Sequence, residues 1–75
     1  MPTIIRLGNV KIAVYAMDHP PPHFHVLTAD YAATISIRTL KITAGDLPSD
    51  IYRLVTRWAD DHTDMLLDAW TRLNG

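Results

Sequence analysis

Residues 18–26 read Asp18-His19-Pro20-Pro21-Pro22-His23-Phe24-His25-Val26 and gather three of the chain's four histidines beside a carboxylate. Three chemistries suit that set. Neutral imidazoles that converge with a carboxylate hold a divalent metal, and His19, His23 and His25 with Asp18 are the candidate ligands. Two imidazoles titrating near neutrality serve as an acid–base pair, with His23 and His25 as candidate catalytic groups for cleaving RNA through its 2'-hydroxyl. A polar strand face beside a rigid loop also suits recognition of a partner protein. In the plainest alternative, Asp18 caps a turn, the prolines stiffen it and the histidines only fill a strand. Both an enzyme and a non-enzyme fit these residues, and none of the three chemistries demands a cofactor beyond the candidate divalent metal.

Strand geometry sharpens the set. His23 and His25 stand two residues apart and project from one face of a strand, while Phe24 and Val26 project from the other. Pro20, Pro21 and Pro22 cannot donate to a sheet ladder, so residues 17–22 form a loop that delivers the histidines to the strand. Residues 23–28 and 31–37 read as a hairpin around Ala29-Asp30, although that pair lacks the glycine or asparagine a tight turn prefers. A two-residue turn places Val26 opposite Ala33, Phe24 opposite Ile35, His25 opposite Thr34 and His23 opposite Ser36. One face then holds Phe24, Val26, Ala33 and Ile35. The other holds His23, His25, Thr34 and Ser36, which puts both histidines on the open side of the sheet.

An earlier hairpin is expected from residues 3–7 and 10–16, rich in β-branched side chains, flanking Gly8-Asn9. Residues 40–43 add a short edge strand. From Leu47 the apolar period changes from two to between three and four. Leu47, Ile51, Leu54, Val55, Trp58, His62, Met65, Leu66, Ala69 and Leu73 share one stripe of an amphipathic helix. Pro48 suits its first turn, Asp46 or Ser49 its cap, and Asn74-Gly75 its end. Unbroken, it would run about 40 Å, so a bend near Asp60-Asp61 is expected. His62, inside the stripe, reads as a packed histidine bonded to backbone rather than a partner of His23 and His25. The expected fold is α+β: one domain over residues 1–75, an antiparallel sheet of four to five strands in residues 1–45, covered by one C-terminal helix in residues 46–75.

Composition bounds the rest. The chain has 75 residues, no cysteine and a net charge of -1. A chain this short buries little core and carries neither a disulfide framework nor a thiolate metal cluster, so packing, a non-thiolate metal or self-association as a homo-oligomer must stabilise it. No apolar run approaches the ~20 residues of a membrane span, and no leader pattern opens the chain, so a cytoplasmic protein without a membrane partner is expected. Net charge argues against binding duplex nucleic acid through phosphates alone. Charge is mildly basic before Gly45 and acidic after it, where Asp46, Asp50, Asp60, Asp61, Asp64 and Asp68 read as the helix's solvated side.

The opening Met1-Pro2-Thr3, the run Asp18-His19-x-Pro21-Pro22-His23-Phe24-His25-Val26, the Gly45-x-Leu47-Pro48 junction and the closing Trp58, His62, Leu66 and Trp70 resemble a family of short bacterial proteins, domain of unknown function 4160. Pro20 fills that motif's variable position and displaces no histidine. The resemblance covers nearly the whole chain and marks Pro21, Pro22, Phe24 and Val26 as motif positions beside the histidines. Members of the family are often encoded beside a second small protein, as toxin–antitoxin pairs are. The resemblance therefore implies a component of a two-protein module that binds a small protein partner, with RNA as a candidate substrate of the His23 and His25 face. The alternatives are a small metal-binding domain using His19, His23 and His25, and a purely structural interaction protein.

Overall fold

The computed structural model describes residues 2–75. Five strands, β1 (Thr3–Leu7), β2 (Val10–Val14), β3 (His23–Leu27), β4 (Ala32–Ser36) and β5 (Ile42–Gly45), precede two helices, α1 (Ser49–Asp60) and α2 (Thr63–Asn74). The strands form one antiparallel sheet in the order β1-β2-β3-β4-β5, a meander in which every strand pairs with its sequence neighbour. The α+β class and both hairpins are as the sequence implies. Among the described residues, no helix is long and apolar enough to cross a membrane.

Local chemistry explains the turns. Gly8 takes a φ of 60°, which closes β1 onto β2 with Leu7 opposite Val10. The β3–β4 turn manages without glycine because the Thr28 hydroxyl accepts the Asp30 and Tyr31 backbone N–H groups, at 3.3 and 3.0 Å. This side chain does the work of a primed turn, and the register follows: His23 lies opposite Ser36, Phe24 opposite Ile35, His25 opposite Thr34 and Val26 opposite Ala33. At the end of β5, Gly45 has φ 76°, and a Cβ there would stand 2.2 Å from the Ala32 carbonyl oxygen, so no other residue fits.

Phe24, Val26 and Ile35, with Ile12 and Val14 of β2, are fully buried beneath Val55, Ala59, Leu66 and Ala69 of the helices. That is the apolar face the alternation predicts. The expected single helix is instead two, because the segment around Asp61-His62 diverts its own backbone. The His62 ring nitrogen Nδ1 donates to the Trp58 carbonyl at 2.7 Å, and the Thr63 hydroxyl donates to the Ala59 carbonyl at 3.1 Å. Asp61 and His62 bond three residues back rather than four, which tightens and ends α1. His62 also stacks on Trp58, with ring centroids 4.3 Å apart, and so is the packed histidine expected. The break changes the phase of the stripe beyond it, so Met65 faces solvent while Trp70 is buried; within α1, Leu54 departs from the expected stripe and is 48% exposed. Neither Asp46 nor Ser49 caps α1, since the Asp46 carboxylate instead accepts the Leu47 N–H at 2.9 Å.

Candidate functional site

The loop from Tyr15 to Pro22 joins β2 to the central strand β3, and it is folded back over one end of the sheet. Met17 adopts φ 59°, an uncommon conformation for a residue with a side chain, and turns the chain so that Asp18 faces β3. Asn74, in the last turn of α2, clamps the loop. Its side-chain oxygen accepts the Asp18 N–H at 2.8 Å, and its amide nitrogen donates to the Tyr15 carbonyl at 3.0 Å and to the Trp70 carbonyl at 3.3 Å. The donor and acceptor requirements of these partners allow only one orientation of the amide.

The Asp18 carboxylate thus reaches both strand histidines. Its Oδ2 stands 2.9 Å from His23 Nε2 and 3.1 Å from His25 Nε2. Its Oδ1 accepts the His19 backbone N–H at 3.1 Å. On the other side of the His23 ring, Nδ1 lies 2.8 Å from the Pro21 carbonyl oxygen. A carbonyl only accepts, so His23 Nδ1 carries the hydrogen. Neutral His23 would then point a bare lone pair at a carboxylate oxygen. A proton or a metal cation must sit between Nε2 and Oδ2. His25 Nε2 donates to the same carboxylate oxygen.

Electrostatics follow the same geometry. Burial pushes the Asp18 carboxyl up, but the hydrogen bond from His25, the charge on His23, the His19 N–H and the hydrogen bond from His23 outweigh it and hold the pKa below its ordinary 3.8.

Four sequence candidates are therefore placed differently. Asp18, His23 and His25 each offer a ligand atom within 4.8 Å of the others. His19 is not part of that trio: its side chain is 88% exposed and its Nδ1 stands 3.3 Å from the other carboxylate oxygen. His23 departs from the open face expected of it. It is only 8% exposed, because it sits at the end of β3 where the proline loop and the Trp70 ring, 5.1 Å away, close around it. His25 keeps more solvent, with 28% of its side chain exposed, and meets the edge of Tyr15 at 4.7 Å.

Periodicity missed Trp70 and Asn74. Trp70 falls outside the stripe of an unbroken helix, and Asn74 reads as a helix stop. Tyr15 reads as a plain strand residue in the sequence but lies just past the end of β2. Phe24 and Val26 anchor β3 in the core, and Pro21 supplies the carbonyl that fixes the His23 tautomer.

A five-stranded meander backed by two helices, with an imidazole–carboxylate trio at the end of its central strand, defines a small α+β protein with one polar cluster of ligand-type side chains among the described residues. The chain belongs to the family described as Domain of unknown function (DUF4160), whose model matches residues 9–71. Searches of curated proteins and of solved structures match nothing to it.

Proposed function

We propose that this protein binds a divalent transition-metal ion through Asp18 Oδ2, His23 Nε2 and His25 Nε2. The observation that carries the reading is the Pro21 carbonyl on His23 Nδ1. A backbone acceptor on the far nitrogen is the usual partner of a metal-bound histidine, and it leaves Nε2 as the ligating atom. Metal bonds of about 2.0–2.2 Å put neighbouring ligands about 2.9 Å apart at a right angle and about 3.4 Å apart in a tetrahedron. The oxygen–nitrogen edges here, 2.9 and 3.1 Å, already fall at that spacing. Two imidazoles and one carboxylate suit zinc, iron(II), nickel or manganese, and three protein ligands leave positions for water or substrate on the side where His25 meets solvent.

Calorimetric titration of the metal-free protein with zinc, nickel, manganese and iron(II) tests this. One ion should bind per chain. Binding should release about one proton, because the ion displaces the proton between His23 Nε2 and Asp18 Oδ2, while His25 shifts its hydrogen to Nδ1. His23→Ala should abolish binding and His19→Ala should leave it intact. Equal losses from both variants, or heats indistinguishable from dilution for all four metals, refute the reading.

A second reading, the partner-binding half of a toxin–antitoxin-like module, draws on a different feature. The outer strands β1 and β5 each pair on one side only, and an unpaired strand edge accepts an added strand. Co-purification with a neighbouring gene's small product tests it, and its absence counts against it.

A further inference from the structure

Positive charge is unevenly placed on this protein. Of its seven Lys and Arg residues, only Arg72 meets a carboxylate among the described residues, at 3.0 Å from Asp68. Three of the others, Lys41, Arg53 and Arg57, line one open groove of about 570 Å3 between the β4–β5 turn and α1. Thr39, Leu40, Tyr52 and Thr56 complete its walls, and Asp60 is the one carboxylate at its margin.

Hydrogen bonds fix the turn that carries Lys41. The Ser36 hydroxyl accepts the Arg38 and Thr39 N–H groups, both at 3.3 Å, and the Leu40 N–H bonds back to the Ser36 carbonyl at 2.9 Å. Leu40 is thereby held at φ 60°, a left-handed conformation unfavourable for a leucine. Its carbonyl accepts the Tyr52 hydroxyl of α1, which ties the turn to the helix and sets Lys41 across from the arginines. Arg53 and Arg57 stand four apart, on one face of α1, where like charges destabilise a helix. An anion seated between the two guanidiniums would relieve that repulsion.

The hydrogen-bonding inventory names its chemistry. Guanidinium and ammonium groups only donate. The Thr39 hydroxyl accepts the Lys41 N–H at 3.3 Å, so its own hydrogen is available, whereas the Thr56 hydroxyl already donates to the Tyr52 carbonyl at 2.8 Å. Two guanidiniums, one ammonium and one hydroxyl match a phosphate group, which presents several acceptor oxygens and negative charge. A polynucleotide needs a track of cations. Here Arg6 and Lys11 lie on β1 and β2, and Arg38 lines a separate groove against α2, so no such track leaves this site. The Tyr52 side chain adds an apolar wall beside the cations.

We propose that the groove between the β4–β5 turn and α1 binds the phosphate monoester of a small molecule through Lys41, Arg53 and Arg57. Amide chemical-shift titration of the full chain with inorganic phosphate and with adenosine 5'-monophosphate, at ionic strength fixed with chloride, tests it. Both probes should give saturable shifts at Lys41, Arg53 and Arg57, with dissociation constants of about 1 mM or tighter. Arg53→Gln with Arg57→Gln should weaken both by at least about tenfold, with the remaining resonances unchanged as evidence that the fold survives. Arg6→Gln should bind as the parent does, and the resonances of Asp18, His23 and His25 should stay in place, which separates this groove from the metal site. Shifts reproduced by chloride alone, phosphate binding untouched by the double variant, or tighter binding of a short single-stranded RNA that spreads to Arg6 and Lys11 would each overturn the proposal.

Discussion

Replacing Asn74 with alanine removes the amide that fastens the site loop to α2. Two of its hydrogen bonds, to the Asp18 N–H at 2.8 Å and the Tyr15 carbonyl at 3.0 Å, join parts of the chain far apart in sequence. The third, to the Trp70 carbonyl, lies within the helix end, where water can replace it. At about 1 kcal/mol for each long-range bond, Asn74→Ala should cost about 2 kcal/mol. For a chain of this size that lowers the melting temperature by about 8–16 °C. The second effect is on the site. Asp18 loses the backbone anchor that aims its carboxylate, so metal affinity should fall by about 10–100-fold, the usual loss when a group supporting a ligand is removed. Asn74→Asp keeps an acceptor for the Asp18 N–H and loses both donors, so it should retain more of the metal affinity than alanine does. Urea denaturation of the metal-free protein gives the first quantity and calorimetric titration the second. If Asn74→Ala lowers stability and leaves metal affinity unchanged, the clamp does not position Asp18, and that part of the reasoning fails.

Two further outcomes are expected. The Asp18 carboxyl titrates below 3.8 in the folded chain, so it stabilises the fold fully above its unfolded value and that contribution is lost as the pH falls through the folded one; Asp18→Asn should flatten the acid limb of stability against pH below 3.8, and an unchanged slope in acid titrations followed by circular dichroism would contradict this. Phe24→Ala, at a fully buried position, should cost about 3–5 kcal/mol and Leu54→Ala less than about 1 kcal/mol, although both are apolar residues of amphipathic elements; equal shifts in urea midpoint would refute the assigned helix face.

The sheet was legible because its information is local. Alternation in residues 23–28 and 31–37, together with a turn of fixed length, determines which side chains share a face, and the observed pairs of β3 and β4 agree with it. The helix break was only half legible. Asp60-Asp61 marked a bend, but the competition of the His62 and Thr63 side chains for backbone carbonyls depends on rotamers that a periodicity plot does not contain. Once α1 ends there, α2 starts in a new phase, which exposes Met65 and turns Trp70 inward. The site shows the same division. Spacing brought His23 and His25 to one face, yet the selection of Asp18 over His19 rests on Met17's left-handed turn and on Asn74, 56 residues away from Asp18. No sequence window spans that contact. The burial of His23 was missed for the same reason, since Trp70 reaches it through tertiary docking alone.

The meander order has a kinetic consequence. Every strand pairing joins sequence neighbours, so the sheet can form by successive hairpin closures, each with a small loop entropy. The clamp on the site loop belongs to another class of contact, because Asn74 meets Tyr15 and Asp18 across almost the whole chain. During synthesis the strand histidines emerge early and their hairpin can close early, but the carboxylate is aimed at them only after α2 has docked. The trio of ligand atoms is thus assembled at the end of folding, and a partly folded chain presents two neighbouring imidazoles without their anion.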